Sequence, residues 1–130
     1  MTLNDTLANA LSTILFAEKN AQTECIIYPI SKTIKIVLDI MNEKGYVGSY
    51  EVIKDSKGDK IKLNLLGKIN NCGVIKPRFM AQVADMEKFE RRFLPAKDFG
   101  MIIITTNKGI TTQSEAKEKN IGGKMLAFVY

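Results

Sequence analysis

Near the end of the chain Thr105, Thr106, Asn107, Lys108 and Gly109 stand in one unbroken run. Two hydroxyls, a carboxamide and an ammonium beside a glycine supply donors, acceptors and one positive charge, but no base to activate a nucleophile. Chemistry of this kind grips a polar, negatively charged partner and does not cut it. A little further on, Gly122 and Gly123 precede Lys124. Missing side chains there allow a backbone to approach the 105–109 run or a phosphate. Two plainer readings stay open: Gly122 as the left-handed residue that ends a short helix, and the 105–109 run as a hairpin-like connection turning on Asn107-Lys108-Gly109.

Other basic residues form a second tier. Lys54, Lys57, Lys60 and Lys62 mark a hairpin whose positive charge is interrupted by Asp55 and Asp59. Lys54 and Lys57 are its candidate phosphate contacts, against the alternative of a solvated hairpin. Lys76 and Arg78 flank Pro77 and are weighed the same way, whereas Arg91 and Arg92 lie among Asp85, Glu87 and Glu90 and read as surface pairs. Asn4, Asp5 and Thr6 are first of all helix-capping residues, as is Ser31.

Catalysis fares poorly. The chain has no histidine, so the commonest general base and metal ligand are both absent, and Cys25 and Cys72 are too few and too far apart for a zinc ribbon or a redox pair. A small enzyme using a threonine or Cys72 as nucleophile would lack its activating base, and no glycine loop of the P-loop type is present. No cofactor, metal or small-molecule substrate is expected. Cys25 reads as a small buried hydrophobe and Cys72 as a turn residue. Tyr28, Tyr46, Tyr50, Phe79, Phe99, Phe128 and Tyr130 lack the paired arrangement of a base-stacking sheet and read mostly as core, favouring recognition of shape and groove.

The elements that must position these residues follow from periodicity. Residues 4–19 predict an amphipathic helix with Leu7, Leu11, Ile14 and Leu15 on one face, followed by a short strand over 25–28. Ser31 caps a second helix bearing Ile34, Val37, Leu38 and Met41, which Gly45 ends. Strands over 46–54 and 60–66 follow, the second alternating Ile61, Leu63 and Leu65 with polar residues. Beyond Gly67 the pattern predicts a turn over 70–73, strand residues at Val74 and Ile75, a strand from about 79, a short helix over 85–93, a buried strand over 98–106, a short helix over 112–119 and a closing strand over 124–130. Thr112 and Glu115 have capping-box spacing. The expected class is α+β in two small parts: residues 1–66, an α/β part with two helices on a small sheet, and residues 67–130, β-rich with short helices and carrying the 105–109 run and the 122–124 segment.

Of 130 residues, 45% are hydrophobic, ordinary for a folded globular protein, and no apolar run is long enough to span a bilayer. A cytoplasmic protein without a membrane partner is expected. The net charge is +5, yet residues 1–24 carry Lys19 against Asp5, Glu18 and Glu24, a net of −2, which leaves +7 on the remainder. Positive charge placed away from the first helix suits a polyanion.

One further pattern runs through nearly the whole chain. It comprises Leu7-Ala8-Asn9-Ala10-Leu11, Gly45-Tyr46-Val47-Gly48, Asn71-Cys72-Gly73-Val74-Ile75, Pro77-Arg78-Phe79, Leu94-Pro95 and Phe99-Gly100. It continues through the apolar strand 102–104 into Thr105-Thr106-Asn107-Lys108-Gly109, then Glu115-Ala116-Lys117 and Gly122-Gly123. In order and spacing it resembles the S-eight family of small-subunit ribosomal proteins, in its archaeal and eukaryotic branch. Asn107 departs from the family's usual serine, and Thr111 from a position commonly apolar.

The resemblance implies direct binding to the central domain of small-subunit ribosomal RNA, on an irregular helix early in assembly, with neighbouring small-subunit proteins as further partners. It places the RNA-binding loop on residues 105–109, with Gly122, Gly123 and Lys124 close by. The start of the first helix (Asn4) and Ser31-Lys32 would be secondary contacts. A regulator that binds a structured messenger RNA outside the ribosome is the alternative.

Overall fold

The computed structural model describes residues 6–28, 31–75, 80–95 and 99–130. The chain divides into two compact units, Met1–Asn70 and Asn71–Tyr130. Helices beside two antiparallel sheets make the class α+β.

In the first unit, helix α1 (Thr6–Lys19) buries Leu7, Ala10, Leu11, Ile14 and Ala17 along one stripe. Helix α2 (Lys32–Glu43) buries Ile34, Val37, Leu38 and Met41, as its i, i+3, i+4, i+7 spacing demands. Ser31 is the cap of α2, its Oγ accepting from the Ile34 N–H at 3.3 Å. Strands β1 (Glu24–Ile27), β2 (Val47–Ile53) and β3 (Lys60–Leu65) form an antiparallel sheet in the order β1-β3-β2. Alternation along β3 sends Ile61, Leu63 and Leu65 into the core and leaves Lys62 and Asn64 on the outer face. A bulge sets Gly48 and Ser49 of β2 against Asn64, whose amide donates to Ser49 Oγ at 3.3 Å.

Both helices of this unit end the same way. After α1 the Gln22 N–H reaches the Ala17 carbonyl and the Ala21 N–H that of Glu18; after α2 the Tyr46 N–H reaches Met41 and the Gly45 N–H reaches Asn42. Left-handed residues make this Schellman closure possible: Gly45 fills the position after α2 as expected, and Ala21 fills it after α1 with φ +56°.

The second unit contains β4 (Cys72–Val74), β5 (Met80–Ala81), α3 (Met86–Phe93) entered through a 3-10 turn at Val83–Asp85, β6 (Met101–Thr106), β7 (Gly109–Thr112), α4 (Gln113–Glu118) and β8 (Gly123–Val129). Strand order is β4-β8-β6-β7, with β5 also pairing β8. Met101 to Ile104 are all buried, which explains their unbroken apolar run. Ile102, Ile104, Met125, Ala116 and Met86 form the core with Ile75 and Leu94. Phe93, Phe128 and Tyr130 stack in series beside it, with ring centroids 5.8 and 6.2 Å apart.

Several expectations are corrected. Cys72 is not a turn residue: it opens β4 opposite Val129 and is buried. Strand β7 was not expected, because Gly109–Thr112 runs straight into a helix cap and shows only the cap's signature. The left-handed residue ending α4 is Asn120 (φ +55°), not Gly122: the Asn120 and Ile121 N–H groups close onto the Lys117 and Ala116 carbonyls. Tyr28 and Phe99 are exposed by nearly half and are not core. No described helix is long and apolar enough to cross a membrane.

Candidate nucleic-acid interface

The 105–109 run is the tip of the β6–β7 hairpin. Thr106 pairs with Gly109, and Asn107 and Lys108 form the two-residue turn between them. Neither turn residue adopts a positive φ; the unusual conformation falls on Gly109 at φ +114°, which a side chain would strain. Thr106 closes the tip from within, its Oγ1 donating to the Gly109 carbonyl at 2.8 Å and accepting from the Lys108 N–H at 3.1 Å. Its one hydroxyl proton is therefore committed to the protein. Asn107 and Lys108 are exposed, with amide and ammonium open to a partner.

Gly123 fixes the tip to the sheet. A Cβ at this position would lie 2.2 Å from the Thr105 carbonyl oxygen and 3.1 Å from Thr106 Cγ2. Only glycine lets β8 come this close to the base of the hairpin. The backbone approach foreseen at the glycine pair is thus made by Gly123 to the loop itself. In the next register position Lys124 lies directly opposite Thr105 on one side and Met80 on the other, while Thr105 faces Ile110 across the hairpin. Residues directly opposite in antiparallel strands share a face. Met80, Lys124, Thr105 and Ile110 therefore form one row across β5, β8, β6 and β7.

Met80 (67% exposed) and Ile110 were not foreseen as members of this surface. Met80 is placed there by the pairing of β5, which the sequence signals only as a strand start near Pro77. Among the described residues, no carboxylate lies within ion-pair distance of Lys108 or Lys124. The surface is a shallow shelf with two ammonium groups, a hydroxyl, an amide and two apolar side chains. It has the means to bind phosphate and sugar hydroxyls and none to activate a nucleophile.

Residues behind the shelf hold it in place. Gln113, 4% exposed, accepts the Ile102 N–H on Oε1 at 2.7 Å. Strand β7 stops pairing at Ile103, so this side chain satisfies a strand donor that would otherwise be orphaned. Thr112 caps α4 by accepting from the Glu115 N–H at 3.5 Å, while Glu115 receives the hydroxyl of Thr111. The polar residue at 111 thus has its partner one helical turn away. Lys117 pairs with Glu90, tying α4 to α3.

Ser31, Lys32, Lys54 and Lys57 belong to the first unit. Ser31 serves as a cap, and Lys32 is exposed at the first position of α2. Lys54 and Lys57 are exposed beside the β2–β3 turn. The turn is anchored by Tyr28, whose hydroxyl donates to the Lys57 carbonyl at 3.0 Å and whose ring lies against Gly58. Lys60 pairs with Asp55 at 3.4 Å and Lys62 with Glu24 at 3.4 Å. The Lys57 N–H and then Lys60 hold the Asp55 carboxyl below its ordinary pKa. Among the described residues, no such carboxylate meets Lys54 or Lys57. Arg91 pairs with Glu87, as expected of a surface helix, and Arg92 stacks on Phe93. Asn4 and Arg78 lie outside the described residues.

The family model described as ribosomal protein S8 matches residues 5–130. The chain belongs to the ribosomal protein S8 family. The small ribosomal subunit protein uS8 of the archaeon Methanococcoides burtonii is 48% identical to this S8-family chain over 130 residues, covering 100% of both. The shelf, the hairpin tip and Gly123 all fall inside the matched span. Among the described residues, no group of His, Cys, Asp and Glu is placed to hold a metal ion in this S8-family chain.

Proposed function

We propose that this S8-family protein is a structural constituent of the small ribosomal subunit that binds directly to the central domain of small-subunit ribosomal RNA. The observation that carries the reading is the shelf at the end of the second sheet: Asn107, Lys108 and Lys124 present open polar groups on a frame fixed by the Thr105–Gly123 approach. An A-form helix exposes phosphates, 2′-hydroxyls and base edges across a shallow minor groove, which a rigid shelf can follow. The role is pre-organisation: the folded protein holds an irregular RNA helix in one of its accessible shapes, and neighbouring small-subunit proteins assemble on the result. Lys32, Lys54 and Lys57 add phosphate contacts from the first unit. The protein works in the cytoplasm as part of the ribosome and catalyses no reaction.

Binding of the purified protein to separate small-subunit RNA fragments, at moderate salt with excess unrelated structured RNA, tests this. Tight binding confined to one central-domain fragment is expected, weakened in Asn107→Ala. Equal, salt-labile binding to every fragment would remove the reading.

A further inference from the structure

Away from the shelf, the first unit carries a groove of about 470 Å³. It lies between the end of α1, at Glu18, Ala21 and Gln22, and the segment after β3, at Leu66, Gly67 and Ile69. The Leu65 N–H bonds the Thr23 carbonyl at 2.8 Å and joins the two sides. Glu18 is the acidic group of its lining, and Glu18 Oε1 is buried without a hydrogen-bond partner among the described residues. No ion pair joins it to Lys19 or Lys68, the neighbouring lysines. Burial pushes the Glu18 carboxyl above its ordinary pKa against the pull of the Gly67 backbone; burial first, and then the Glu18 charge, raises the Cys25 thiol to about 11.

Three features favour one kind of occupant. Glu18 puts a half-buried carboxylate in the wall, one oxygen of which lacks a hydrogen-bond partner among the described residues, and such a group attracts a cation. The negative end of the α1 dipole lies in the same wall and has the same preference. Leu66, 51% exposed, gives the rim an apolar surface on which an aliphatic stem can rest. Both charges repel phosphate, so the groove does not suit RNA.

We infer that this groove receives a basic side chain, arginine or lysine, presented by a protein partner between apolar residues. The inference is independent of which RNA the shelf binds.

The test is an amide-shift NMR titration of the full chain with the blocked tripeptide Leu-Arg-Leu and with its neutral counterpart, in which citrulline replaces arginine. Saturable shifts of the Ala21, Gln22 and Gly67 amides are expected with the arginine peptide. Affinity should fall about tenfold or more with the citrulline peptide and in Glu18→Gln, the loss expected of one charge-assisted hydrogen bond. Leu66→Ser, at an exposed position, should fold normally and bind severalfold more weakly. Glu18→Gln keeps the shape of the side chain and an oxygen for the Gly67 backbone, and should fold normally. Absent shifts, equal binding of both peptides, unchanged binding in either variant, or a central-domain RNA fragment that moves the same amides would each overturn the inference.

Discussion

Thr106 and Asn107 are neighbours with different duties. Thr106 donates to Gly109 and accepts from Lys108, whereas Asn107 keeps its carboxamide in solvent. Asn107→Ala is expected to weaken RNA binding by about 1–3 kcal/mol without changing stability, while Thr106→Ala loosens the tip and lowers stability by about 1 kcal/mol. Urea denaturation alongside RNA titration separates the two; equal behaviour of both variants would contradict the division. The glycines differ too. Gly109→Ala meets open space and only backbone strain, about 1 kcal/mol. Gly123→Ala drives a carbon into the Thr105 carbonyl and is expected to cost about 3 kcal/mol, at the upper end of overpacking. Similar melting of the two variants would show that β8 can move aside. Glu18 gives a pH signature. Its carboxyl holds a proton more tightly folded than unfolded, so the native state binds more protons between the ordinary carboxyl pKa and the raised one. Stability should therefore fall as pH rises through that window and return on acidification through it. Glu18→Gln should flatten this slope, and an identical pH profile in the variant would place Glu18 in solvent.

At the level of elements, the helices and long strands were legible because burial requires period. Leu7, Leu11 and Ile14 in α1, and Ile61, Leu63 and Leu65 in β3, leave one workable arrangement each. Strand β7 was not legible because Thr112 ends the strand and caps the helix at once, and a cap is the louder signal. The end of α4 was misjudged for a related reason: Gly122-Gly123 draws attention, yet the polypeptide turns two residues earlier, where Asn120 tolerates the left-handed region. The tip of the candidate site could be read from its residue types. The shelf could not, since Met80, Lys124, Thr105 and Ile110 become neighbours only through the register of four strands. Gln113 shows the same dependence, because nothing local announces that a glutamine will serve a strand N–H eleven residues away. Gln113→Ala should destabilise by about 1–3 kcal/mol by orphaning that buried donor. Rapid hydrogen exchange at the Ile102 amide would accompany the loss, and unchanged protection there would refute it.

Across the whole molecule, each of the two units carries exposed positive charge of its own. Lys32 and Lys57 stand on the first, Lys108 and Lys124 on the second, none paired with a carboxylate among the described residues. If each touches one phosphate, each alanine substitution should reduce the salt slope of RNA binding by at most about one. A double change with one lysine from each unit should reduce it by about two, whereas a slope that responds only to Lys108 and Lys124 would confine the interface to the second unit.

The central position of β8 has a consequence in time. The first unit's sheet is complete once Leu65 has been added. In the second, β4 and β5 have no partner but β8 among the described residues, and the row that includes Lys124 does not exist before it. During synthesis, the first unit's sheet can form while the shelf is still unwritten, and the row that makes the shelf is completed only when residues 123–129 take their place between β4 and β6.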